Sequence, residues 1–188
     1  MQQALHENKS FENTDFPQGE NLHFDKCTFS RCNFSYHNFA NIVFENCTFS
    51  GCDLSLCKIK NAGINNVMFK DCKIMGVDFS QSKPFLFSVH FERCILDYAI
   101  FYKRKMKNTR FNDCSLVETD FSEVDLTNAV FNNCNLLNTV FSQTQLKGAD
   151  FTTANNFRID PEQNQMTNAR FAASGLQGLL GKYKIIIE

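Results

Sequence analysis

Residues 22–50 read LHFDKCTFSRCNFSYHNFANIVFENCTFS, and a phenylalanine returns at every fifth place: Phe24, Phe29, Phe34, Phe39, Phe44 and Phe49. An α-helix repeats every 3.6 residues and a strand every two, so neither gives a period of five. Working outward, the spacing continues through Leu54, Ile59, Ile64, Phe69, Ile74 and Phe79, slips by two residues, and resumes at Leu86, Phe91, Leu96, Phe101 and Met106. It then runs through Phe111, Leu116, Phe121, Leu126, Phe131, Leu136, Phe141 and Leu146 to Phe151. One large apolar side chain per five residues over this length requires a chain that winds as a solenoid of repeats.

The place two before each large residue is mostly small, as at Cys27, Cys47, Ala62, Val77, Thr119 and Ala149. Two residues in five therefore point inward, and the other three are largely polar, as a solvated wall requires. A small residue, any residue, then a central Leu or Phe resembles the motif of the pentapeptide-repeat family, from about residue 9 to 171. That resemblance implies an all-β fold, a right-handed quadrilateral parallel β-helix in which four pentapeptides make one coil.

A four-sided coil demands that residues twenty apart stack. Phe29, Phe49 and Phe69 continue, across the slip, into Phe91, Phe111, Phe131, Phe151 and Phe171, and Cys32, Cys52 and Cys72 into Cys94, Cys114 and Cys134. Both columns survive the slip, so residues 80–85 are expected to form a small loop without a change of face. From residue 24 to 151 the centres make roughly six and a half coils, a rod of about 31 Å at the usual strand spacing.

The expected division is a β-helix over residues 1–171, broken at 80–85, and a capping and dimerising segment over 172–188. In that tail Ser174 is expected to cap a short helix with Leu176, Leu179, Leu180 and Tyr183 on one face. Ile185, Ile186 and Ile187 are expected to follow as a short strand, the helix and strand together closing the rod. An open solenoid end must be covered, and surplus apolar residues there favour a two-fold homodimer through the C-terminus.

A net charge of −1 argues against nonspecific binding to nucleic acid, which needs a basic field. The stretch MQQALHENKSFEN lacks the basic and apolar regions of a secretory signal, and no apolar run reaches the length of a membrane span. The expected compartment is the cytoplasm, with no membrane partner. All nine cysteines occupy inward places, and six form one ladder whose spacing suits packing better than the convergence a zinc site requires. His23 and His90 are read as wall residues, His6 as lying before the repeats, and His37 as inward. No motif of an enzyme, cofactor site or metal site is present.

Departures from the repeat mark candidate contact surfaces, since the scaffold needs none of them. At one corner the loop brings Lys83, Phe85 and Phe87 toward Tyr102, Lys103, Arg104 and Lys105, with Lys107 beyond. Arg104 stands in an inward slot and is expected to bend outward or pair with the loop, while Glu123 and Asp125 lie one coil below the lysines. The acids Asp113, Glu118, Asp120, Glu123 and Asp125 circle the coil as a belt. On the face centred on Phe34, Leu54, Ile74, Leu96, Leu116 and Leu136, the outward residues Tyr36, Leu56, Met75, Ile95, Tyr98, Val117 and Leu137 form an apolar stripe of the kind that marks contact surfaces.

Residues 69–101, FKDCKIMGVDFSQSKPFLFSVHFERCILDYAIF, with their break between repeat blocks, and IDPEQN at 159–164 before the apolar tail, are most similar to the topoisomerase-protecting branch of the family. That branch comprises the quinolone-resistance (Qnr-type) and microcin B17 immunity members. The resemblance implies a dimeric, non-enzymatic rod that docks on DNA gyrase or topoisomerase IV as a partial DNA mimic and relieves poisoning by an inhibitor. The alternative is a general protein-interaction or assembly module that uses the stripe and has no topoisomerase role.

Overall fold

The computed structural model describes residues 4–14, 16–19, 21–183 and 185–186. Eleven short strands run β1 (Ala4–Glu7), β2 (Ser10–Glu12), β3 (Leu22–Asp25), β4 (Thr28–Ser30), β5 (Val43–Glu45), β6 (Thr48–Ser50), β7 (Gly63–Asn65), β8 (Val67–Lys70), β9 (Val89–Glu92), β10 (Arg110–Asn112) and β11 (Val130–Asn132). They pair in parallel as two sheets, β1-β3-β5-β7 and β2-β4-β6-β8-β9-β10-β11. Two further sides are stitched by single bridges, one through Asn33, Asp53, Lys73, Ile95, Ser115, Asn135 and Asn155, the other including Asp78, Ile100, Asp120 and Val140. The molecule is thus a four-sided parallel β-solenoid in which each residue meets its counterpart one circuit away.

Register follows the sequence columns. Phe29 pairs with Phe49 and Phe49 with Phe69, whereas Phe69 pairs with Phe91, which absorbs the two extra residues. One coil precedes those read from the sequence: His6 pairs with Phe24 and Phe11 with Phe29. His6 is therefore a repeat residue, its ring stacked on Phe24 at 4.8 Å. The five-residue spacing of His6, Phe11 and Phe16 was the available signal, obscured because this first circuit is two residues short.

The wall chemistry has a backbone cause. Two places after most centres the chain takes a left-handed turn, with φ of 53° at Asn46, 51° at Asn66 and 56° at Asn128. Asn recurs there because its short polar side chain tolerates positive φ. One place before many centres, Asp or Asn accepts the N–H two residues on, as Asp53 does from Ser55 (2.9 Å) and Asp150 from Thr152 (2.9 Å). These turns form the corners.

Inside, phenylalanine rings stack along the axis, as in Phe111 on Phe91 at 5.3 Å and on Phe131 at 4.9 Å. Between columns they meet edge-on, as Phe111 and Phe121 do at 5.7 Å. Where the centres change to Leu54, Ile59, Ile64 and Ile74, an apolar void of about 20 Å³ remains. The cysteines are free and buried, and they do more than fill space. Cys52 Sγ donates to the Phe29 carbonyl at 3.4 Å and Cys134 Sγ to that of Phe111 at 3.3 Å. Thr139 and Thr144 make the same bond with their hydroxyls to Leu116 and Phe121, which explains why Cys and Thr alternate in this slot.

The tail forms the expected short helix but departs from expectation at its cap and in the segment after it. It forms a 3-10 turn (Ala173–Gly175), a four-residue helix α1 (Gln177–Leu180) and a second 3-10 turn (Gly181–Tyr183). Ser174 lies inside the first turn, and neither turn nor helix start has a side-chain cap. Ile185 and Ile186 are not in a strand, and Ile187 lies outside the described residues. Close packing holds the segment instead: a Cβ on Gly178 would lie 2.3 Å from the Phe157 carbonyl oxygen, and Ile159 N–H donates to Gly178 O at 3.0 Å. Lys182 clamps the outside, 2.8 Å from Asp160 and 2.6 Å from Glu162.

Candidate partner-binding surfaces

The slip in the repeat builds a shaped corner. Asp78 accepts from Ser80 N–H, Ser82 Oγ donates to the Phe79 carbonyl, and Lys83 N–H donates to Ala62 O, so residues 79–83 are held closely. Arg104 turns inward and is only 8% exposed. Its Nη1 donates to Ser82 O (3.1 Å) and its Nη2 to Ser80 O (2.8 Å), while Nε is buried without a partner. Of the two outcomes expected for this residue, pairing with the loop is the one realised.

Two assignments at this corner are corrected. Phe87, expected at the contact surface, is 8% exposed and packs edge-on against Phe79 at 6.1 Å. Leu86, expected to resume the inward column, takes φ of 57° and faces solvent. The larger ring fills the space left by the loop, and the chain twists to place it there. Arg104 likewise belongs to the interior and offers partners no charge. What the corner displays is Phe85, 79% exposed, with Leu86 and Lys83 beside it.

Tyr102, Lys103 and Lys105 are exposed. Lys103 lies 3.4 Å from Glu123 and 4.7 Å from the Tyr102 ring centroid, and Tyr102 Oη donates to Glu123 at 3.0 Å. Asp125 pairs with Lys107 at 3.4 Å, not with Lys105 directly above it. The basic patch is therefore partly neutralised by the belt. Exposed pairs of this kind contribute about 0 to 1 kcal/mol each. Asp120 and Asp125 also cap turns at Ser122 and Thr127, and Asp113 accepts from Asn133. The Glu118 side chain is exposed and makes no hydrogen bond or ion pair among the described residues, while its backbone N–H donates to Leu137 O at 2.9 Å.

The apolar stripe is largely in the open. Tyr36 is 71% exposed, Leu56, Tyr98 and Leu137 about half, Ile95 somewhat less, and Met75 and Val117 are half-buried. Val140, 45% exposed, is a further apolar residue in the open, on the neighbouring side with Ile100 and Asp120. At the C-terminal end Leu176, Tyr183, Ile185 and Ile186 are exposed, whereas Leu179 packs on the core and Leu180 is half-buried.

Burial holds the thiols of Cys47 and Cys57 up at about 12. No cluster of three or more His, Cys, Asp or Glu side chains suited to a metal occurs among the described residues. No helix among them is long and apolar enough to cross a membrane.

The profile of the pentapeptide repeat region matches residues 22–101 and 104–179. No curated protein matches the chain in sequence. Two trypsin-treated variants of QnrB1, described as a plasmid-mediated fluoroquinolone resistance protein, share the fold with a TM-score of 0.65 at 13% identity. One alignment covers 99% of this chain and 98% of the trypsin-treated chain, the other 100% of both. With the five-residue period, the four stitched sides and a profile match over most of its length, the chain belongs to the pentapeptide-repeat family.

Proposed function

We propose that this protein is a non-enzymatic, cytoplasmic binding rod that docks on DNA gyrase or topoisomerase IV and protects it from inhibitors. The observation that carries this reading is the end-to-end correspondence with a fluoroquinolone resistance protein, 98% or more of both chains. A solenoid whose inward positions are consumed by packing acts through its walls, and no bound cofactor is required for that. Mimicry of DNA is local: Glu123 and Asp125 are paired with lysines, which leaves Asp113, Glu118 and Asp120 to supply the negative surface. Phe85, Lys83 and Lys105 form the second contact region. The exposed Leu176, Tyr183, Ile185 and Ile186 support a homodimer joined at the C-terminal tip, Leu179 and Leu180 serving chiefly to seat it.

The test is gyrase supercoiling in the presence of a quinolone, with and without the protein. Restored supercoiling is expected. Unchanged poisoning, at concentrations well above the enzyme's, refutes the reading and favours the general interaction module, for which the exposed Tyr36, Leu56 and Tyr98 stripe is the supporting observation.

A further inference from the structure

One column of the stripe is built against the preference of its own backbone. Tyr36, Leu56, Gly76 and Tyr98 occupy successive left-handed corners, with φ of 60°, 56°, 65° and 62°. Tyr36, Leu56, Tyr98 and the loop residue Leu86 are the apolar side chains at positive φ among the described residues. Bulky side chains are disfavoured there, and Asn, common at equivalent corners, would serve the fold better. Residues held in such conformations and left in solvent point to a contact the scaffold itself does not need.

Charge divides this surface into halves. Lys58 and Lys60 are exposed on the coil of Leu56, without an ion pair among the described residues. Two coils beyond Gly76, Glu118 and Asp120 supply the opposite sign. A groove of about 300 Å³ lies on the basic half, lined by Leu56, Lys58, Lys60, Gly76, Asp78 and Gln81. Gly76 keeps it open, because a Cβ there would come within 2.7 Å of the Leu56 side chain.

We propose that this surface is self-complementary and that a second copy of the chain lies on it, side by side and antiparallel. A two-fold axis lying between the copies, perpendicular to the rods and level with the space between the rungs of Gly76 and Tyr98, exchanges those rungs, so each Tyr98 enters the other copy's groove over Gly76. The same operation exchanges the coil of Lys58 with that of Asp120, and since the two residues stand in one wall column, Lys58 meets Asp120 on both sides of the axis, with Lys60 and Glu118 flanking the pair. A single self-complementary patch is what a closed two-fold pair requires, and opposed charges fix its register. The stripe spans six rungs, five steps and about 24 Å, the size of a weak association. It is distinct from the C-terminal tip and shares Glu118 and Asp120 with the acidic surface proposed to face a topoisomerase, so the test reads self-association with no topoisomerase present.

Analytical ultracentrifugation of the full chain carrying Ile186→Asp, which disables the tip, tests the proposal across a concentration series into the millimolar range. Reversible dimerisation is expected at low salt, weakening as salt rises. Tyr98→Asn should weaken it at least about tenfold while the melting temperature holds or rises, an outcome that loss of folding cannot mimic. Lys58→Glu and Asp120→Lys should each weaken it, and the double substitution should restore it. Absence of dimerisation, or a double variant no stronger than the singles, overturns the proposal.

Discussion

Substituting Phe111 by Ala tests how the rod is held together. The ring is fully buried and lies between Phe91 at 5.3 Å and Phe131 at 4.9 Å, with Phe121 edge-on at 5.7 Å. Its backbone pairs with β9 on one side and β11 on the other, so the walls cannot close over the space left behind. Truncating a core phenylalanine costs about 3 to 5 kcal/mol, and each lost aromatic pair adds about 0.5 to 1.5 kcal/mol beyond area. The upper end of the range, near ~5 kcal/mol, is therefore expected. Phe11 sits in the same column but at its end, half-buried, with one stacked neighbour, Phe29 at 5.0 Å. Phe11→Ala should cost roughly half as much. Urea denaturation followed by circular dichroism measures both, with the slope compared to detect loss of cooperativity between coils. Equal costs at the two positions, or less than about 1.5 kcal/mol at Phe111, would refute the stacked-column reasoning.

Gly178→Ala should lift the tail from Phe157 at a cost of about 1 to 3 kcal/mol, whereas Gly181→Ala, whose Cβ meets nothing within 4 Å, should be neutral or slightly stabilising by thermal melting. Burial lowers the pKa of His6, His37 and His90 from 6.5, so the unfolded chain takes up protons that the folded one refuses. Their contribution is complete above pH 6.5 and falls away on acidification. The melting temperature should decline between pH 7.5 and 5.5, and less steeply in His37→Phe. A thiol reagent should modify none of the nine cysteines in the native protein and all of them in denaturant; rapid native labelling of Cys57 would contradict its burial.

The circuit was legible because its period is set by geometry that every coil repeats: one slip could not hide Phe69 above Phe91. Irregular places were harder. Around the loop, Phe85, Leu86 and Phe87 are all large and apolar, and a broken period cannot say which turns inward; only the space beside Phe79 decides. In the tail the short helix was legible, whereas its cap and the segment after it were not, for a related reason. Ser174 and the isoleucine run satisfy local rules for a cap and a strand, but Gly175 and Gly178 dock on Phe157, a contact between residues about twenty apart that has no periodic signature. Arg104 was marked by its inward slot, and its carbonyl partners in the loop became evident only with the fold. The left-handed corners were visible as recurring Asn, and the same rule identifies Tyr36, Leu56 and Tyr98 as exceptions.

Binding of purified gyrase holoenzyme to the immobilised protein, measured with and without linear duplex DNA as competitor, addresses the functional account most directly. The account predicts association that duplex DNA displaces and that Glu118→Lys weakens. No association, or association indifferent to DNA, would contradict it.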